Sequence, residues 1–197
     1  MTARSIPVIA VAVIVVLFAW AKLARRMVPI HDITTDTHDP PQFVVVLSLR
    51  AAARNSAVYG GDTVAAIQRD AYPDIAPVDL AVSPAAAFAK AHAAAIAMGW
   101  ALVSADSGAG RIEATATTRL FRFKDDIVIR VRSHAGGSRV DVRSASRIGK
   151  SDLGKNAARV REFIERLRPL AGARSDEGRQ SGRSLAIISN SSFTPPG

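Results

Sequence analysis

Along residues 127–132, Ile-Val-Ile-Arg-Val-Arg, the positions alternate, with Ile127, Ile129 and Val131 on one side of an extended chain and Val128, Arg130 and Arg132 on the other. Successive strand residues point to opposite faces, so the run predicts a strand with one apolar and one largely charged face. The same alternation recurs nearby, where Val140 and Val142 oppose Arg139, Asp141 and Arg143. Two further strand-like runs precede these, Trp100 to Ala105 and Arg111 to Phe123, and the last runs from Arg139 to Ser146. The separating stretches "DSGAG", "KDD" and "HAGGS" are turn chemistry, and connections this short predict an antiparallel meander.

Helical patterns flank the meander. Ser83 is a candidate N-cap, Pro84 suits a first turn, and Phe88, Ala91, Ala95 and Met98 form one stripe before Gly99, predicting a helix over 84–98. A second helix is predicted from Ser151 or Asp152, with Leu153, Ala157, Val160, Ile164 and Leu167 recurring at helical spacing until Pro169. The predicted fold is therefore α+β, a two-layer sandwich in which a four-stranded antiparallel meander carries two helices on its apolar face. The charged face is expected to meet water or a partner. Upstream, residues 29–58 read as a proline-bearing leader across the domain surface, with one possible strand at Phe43 to Leu49. Irregular structure is expected over 59–83, apart from a short helical turn at Thr63 to Arg69.

The two ends read differently. Between Arg4 and Lys22 lie 17 uncharged residues, "SIPVIAVAVIVVLFAWA", which as a helix would be about 25 Å long, the short end of what spans a bilayer. Ala19-Trp20-Ala21 could serve instead as a signal-peptide cleavage site. Lys22, Arg25 and Arg26 follow at once, however, and favour a retained anchor flank. The expected organisation is thus a membrane segment at 1–28, a globular domain with its leader at 29–170, and a disordered Gly/Ser-rich tail at 171–197. Charge counting alone leans towards a cytoplasmic domain, because those three basic residues slightly outweigh Arg4 and the amino terminus.

Charge changes the picture only after it is divided along the chain. The net charge is +9, of which residues 1–29 supply +4; residues 30–110 sum to −4 and residues 111–170 to +8. Two halves of opposite sign are expected to neutralise each other in the fold, which weakens the case for an anionic macromolecule. Sheet-face RNA binding needs aromatics interleaved with arginines, and Trp100, Phe121 and Phe123 are too few, so no nucleic-acid partner is expected. The absence of cysteine excludes disulfides and thiolate catalysis.

Candidate chemistry is sparse. Gly149-Lys150-Ser151 fills the last three places of a phosphate-binding loop, but Ser144 stands where its first glycine belongs and no parallel β-α pattern precedes it. The residues read better as a turn and helix start, with Lys150 and Lys155 able to hold an anion there. Gly108-Ala109-Gly110 reads as a hairpin, and Asp125-Asp126 as a turn whose carboxylates face opposite ways. His31, Asp32, Asp36 and His38 are metal-ligand types without a known spacing, so a metal site there is only a weak alternative and no cofactor is expected. His92 and His134 have no nucleophile in view. Arg130, Arg132, Arg139 and Arg143, with Lys150 and Lys155, remain as candidates for an anion or a lipid surface.

Several phrases resemble one family. "PIHDITTDTHDPPQF", "AYPDI", "AMGW", "GRIEATATT", "DDIVIRVR" and "GSRVDVRSASRIGKSDLGKNAARVREF" look like the proteins catalogued as domain of unknown function 1499, over residues 29–168. Bacterial members follow membrane helices and plant relatives are associated with the thylakoid lumen. The resemblance implies a soluble module on the extracytoplasmic side of the inner membrane, with no reaction or catalytic residues to carry over. The expectation is a single-pass, membrane-anchored, non-enzymatic module that binds an unknown protein partner or the membrane surface. The alternative is a small-ligand or metal-dependent enzyme with a cleft beside "SRIGKSD".

Overall fold

The computed structural model describes residues 10–18, 20, 28–118 and 121–168. The predicted tail, 171–197, lies outside the described residues, as do residues 1–9, 19 and 21–27 of the predicted anchor; residues 10–18 and 20 are helical. No helix among the described residues is long and apolar enough to cross a membrane.

Six strands build one antiparallel sheet: β1 (Asp32–Thr34), β2 (Val78–Leu80), β3 (Ala101–Asp106), β4 (Arg111–Thr117), β5 (Lys124–His134) and β6 (Gly137–Ser146). The predicted meander is β3 to β6, and β1 and β2 both pair with the remaining side of β6, β1 opposite Arg143 to Ala145 and β2 opposite Ser138 to Val140. Between β5 and β6 the chain reverses on Ala135 and Gly136, with φ of 46° and 77°. Two positive φ values in a two-residue turn match the right-handed twist of the strands, and glycine adopts one without strain.

Three helices complete the domain: α1 (Gly61–Ala71), α2 (Pro84–Ala97) and α3 (Lys155–Leu167). Helix α2 starts as expected, with Ser83 Oγ accepting from the Ala86 N–H at 3.3 Å and Pro84 in the first turn. Its buried residues are Ala87, Ala91, Ala94 and Ala95, small side chains that let a helix lie close to its neighbours. Val160, Phe163 and Leu167 of α3 share one core with Ile112, Ile127, Ile129, Val140 and Val142 of the sheet. Burying each large apolar side chain stabilises by about 1.5–3 kcal/mol. Trp100 stacks on Phe163 with centroids 5.5 Å apart, so this tryptophan belongs to the core.

Four expectations are corrected. Phe43 to Leu49 is not a strand but a crossing segment that ends in a 3-10 turn, Val46–Leu49. Residues 61–71 form a full helix of 11 residues, longer than the short helical turn expected at Thr63 to Arg69. Strand β4 stops at Thr117, since Thr118 N–H donates to the Phe123 carbonyl while Thr118 Oγ1 accepts from Phe123 N–H, closing a loop; Asp125 and Asp126 then lie inside β5. Helix α3 begins at Lys155, because Leu153 and Gly154 have φ of 55° and 77° and cannot continue a right-handed helix.

The charged face of the sheet is also not left to water. Phe43 and Val46 of the leader pack on Val128 and Ala145 in a second, smaller core. Glu113, Asp126, Asp141 and Arg143 are all buried completely. The leader spans this face and supplies polar groups to it: the N–H groups of Val44, Val45 and Val46 donate to the Glu113 carboxylate at 2.8–3.2 Å. Burial of a charge is tolerated when its hydrogen-bonding capacity is met in this way.

Candidate functional site: a pocket where the chain enters the fold

Of the residues singled out for anion binding, Arg143 is fully buried against Asp32 at 2.7 Å and also donates to the carbonyls of Pro41 and Ala57. Arg130 is held by Asp36, Asp39 and Asp141 at 3.0–3.2 Å, and Arg132 reaches the same three carboxylates. Arg139 pairs with Asp79 at 2.8 Å, and that hydrogen bond holds the Asp79 carboxyl below the usual range. These arginines lie in β5 and β6, and their carboxylates come largely from the leader and β2. The acidic first half of the chain therefore neutralises the basic second half across the sheet. Lys150 and Lys155 are different: both are exposed and neither has an ion-pair partner among the described residues.

The candidate metal ligands are not brought together. Asp32 is committed to Arg143 and Asp36 to Arg130, while Asp36 Oδ1 also accepts from the N–H groups of His38 and Asp39. Among the described residues no group of three or more histidines and carboxylates is placed to hold a metal ion.

Gly149 and Ser151 line a pocket. Asp152 shapes it: one carboxylate oxygen accepts from Gly154 N–H at 2.9 Å and the other from Asn156 N–H at 2.5 Å, so the residue caps α3 from outside its first turn. Burial pushes its carboxyl above the usual aspartate range. Asn156 then ties the helix to the sheet through Ser144, Ser146 and the His31 carbonyl. Gly149, at φ 92°, turns the chain out of β6. Ser144, where a phosphate loop would need glycine, is a fully buried strand residue.

A cavity of about 230 Å³ lies between this connection and the β4–β5 loop, lined by Thr118, Phe121, Phe123, Ile148, Leu153 and Lys155, and by Asp125 and Asp152. Asp125 is buried and paired with Arg159 at 2.7 Å. The rim is apolar and open: Phe121 and Phe123 stack at 5.5 Å, and they are 65% and 45% exposed, with Leu153 at 54%. Arg122, Lys124, Lys150 and Lys155 alternate with these apolar residues, all exposed and without an acidic partner among the described residues. The sequence brings Phe121 and Phe123 forward only as two of the three aromatics too few for RNA stacking. The alternation Phe121-Arg122-Phe123-Lys124 is the available signal, and its first three residues fall at the end of the predicted strand 111–123.

Residues 32–167 match the family profile described as Protein of unknown function (DUF1499). No curated protein matches the chain.

Proposed function

As the chain belongs to the family DUF1499, whose function is unknown, we propose a reading built on its own geometry: a membrane-anchored, non-enzymatic binding module. The apolar segment of residues 5–21 is its single-pass inner-membrane anchor. The α+β domain, a two-layer arrangement of sheet and helices, stands on the extracytoplasmic side, and its recognition site is the pocket between residues 118–123 and 147–155. One observation carries this reading: the exposed apolar side chains of Phe121, Phe123, Ile148 and Leu153 and the unpaired Lys155 line one cavity, with the unpaired Arg122, Lys124 and Lys150 next to them in the sequence, on a domain whose sheet arginines are paired with carboxylates.

Anchoring is tested on the full chain in cell membranes washed with alkaline carbonate. The chain is expected in the pellet, and Val13→Arg with Val16→Arg is expected to release it, since arginine at a membrane helix centre costs about 2.5–3.5 kcal/mol. Wild-type chain in the wash would contradict the anchor. A reporter fused after Gly197 reads the side of the membrane.

One observation favours the rival enzyme reading: the raised pKa of Asp152 in a cleft, a feature of acid–base sites. Both oxygens of Asp152 nevertheless accept backbone N–H groups. No pocket hydroxyl is hydrogen-bonded to a carboxylate or amine among the described residues. The melting temperature of the full chain is expected to ignore zinc, manganese and calcium; a rise with one of them would support a metal-dependent site.

A further inference from the structure

We propose that the pocket end of the domain docks on an anionic lipid bilayer, with Phe121, Phe123, Ile148 and Leu153 entering the headgroup region and Arg122, Lys124, Lys150 and Lys155 meeting lipid phosphates. This deepens the anchored reading and rests on it. Three independent features converge on this end. The first is local conformation: Arg122 and Leu153, one at the tip of each loop, have φ of 52° and 55°. A bulky residue in this region is strained, and strain of that kind collects where structure serves binding; Ala135, in the opposite hairpin, also has a positive φ but is small and lies in the two-residue turn whose geometry requires it. Leu153 is both strained and 54% exposed, so the fold gains little from it.

The second feature is charge. Asp125, Asp126 and Asp152, the carboxylates nearest the pocket, are engaged by Arg159, by Arg50 and Arg147, and by backbone N–H groups respectively. The four exposed cations thus remain uncompensated beside apolar tips, the pattern that suits a negatively charged interface.

The third is where the chain enters. The His31 carbonyl accepts from Ser146 N–H and from Asn156 Nδ2, both at 2.9 Å, which fixes the start of the domain beside the pocket residue Ser146. Only residues 22–30 separate this point from the apolar segment, a reach of at most about 35 Å. A tether of this length attaches at the pocket end and keeps that end within reach of the bilayer. The opposite hairpins, around Ser107 to Gly110 and His134 to Gly137, carry no exposed large apolar side chain among the described residues.

The natural chain has no cysteine, so single labels are unambiguous. The full chain is reconstituted in phosphatidylcholine vesicles with and without phosphatidylglycerol, carrying an environment-sensitive fluorophore on Phe121→Cys, Leu153→Cys or Ala135→Cys. Labels at 121 and 153 are expected to shift to the blue and to be quenched by spin-labelled lipid, more strongly with phosphatidylglycerol, while the label at 135 does neither. Identical, water-like spectra at all three positions would overturn docking and leave the anchor standing. Leu153→Gly separates structure from docking: it relieves the strained φ, so the urea midpoint is expected to rise while the label at 121 loses part of its shift. A lower midpoint with an unchanged shift would contradict the role given to Leu153. If carbonate releases the chain, the anchor reading fails by itself, and sedimentation of the released chain with phosphatidylglycerol vesicles decides docking. Binding that weakens about fivefold for each of Lys124→Gln, Lys150→Gln and Lys155→Gln supports it, and absence of binding refutes it.

Discussion

Arg143 is fully buried, with its guanidinium 2.7 Å from Asp32 and its Cζ 4.7 Å from the Phe43 ring centroid. Strand alternation placed Arg143 correctly in the polar row of β6, and the sequence hid only what lies over that row. A leader without periodicity gives no sign that Asp32, Pro41 and Ala57 converge on one guanidinium from three places in the chain. Breaking a buried pair by removing one partner costs about 3–5 kcal/mol, because the other charge stays buried. Arg143→Met is therefore expected to destabilise by that amount in urea unfolding, and Asp32→Asn combined with it to recover part of the loss. A single-mutant loss below about 1 kcal/mol would contradict the buried pairing. Asp79 gives the pH counterpart. Its lowered pKa, caused first by the Arg139 hydrogen bond, means its contribution is complete above the ordinary aspartate value and lost as pH falls through the lowered one. Arg139→Ala should return the Asp79 titration, followed by NMR, to the ordinary range.

At the scale of elements, the meander and helix α2 were legible because each is stated twice in the sequence, by period and by punctuation. Ser83-Pro84 opens α2 and Gly99 closes it, at φ 70°. Helix α1 was obscured by Gly60-Gly61 at its start and by its polar content: only Ala65 and Gln68 are buried on it, and Gln68 serves the backbone of Thr34 through two hydrogen bonds instead of an apolar core. The start of α3 was misplaced by one turn because Leu153 fits the helical stripe by spacing alone, yet it lies outside the helix and is exposed. Asp152 marks the true start. Asp152→Ala is expected to cost about 0.5–2 kcal/mol through the lost cap. Because burial raises the Asp152 pKa, the folded state holds its proton more tightly than the unfolded chain. Stability should therefore increase as pH falls from the raised value towards the ordinary one, and this increment should vanish in Asp152→Asn. Unfolding midpoints across that window for the two proteins check the sign.

Across the whole molecule, the division of charge was the most informative property of the sequence and the least specific. It foretold that an acidic first half would meet a basic second half, and Asp36, Asp39, Asp74 and Asp79 do meet Arg130, Arg132, Arg161 and Arg139. It did not foretell that the pairing would spare one end. The sheet is long enough for that end to matter: β5 has 11 residues, so its two ends are about 35 Å apart. Energy transfer resolves that separation in the full chain. With acceptor-labelled lipid in the bilayer, a donor on Leu153→Cys is expected to transfer strongly and a donor on Ala135→Cys weakly. Equal transfer from both positions, or stronger transfer from Ala135→Cys, would contradict a domain that stands on its pocket end.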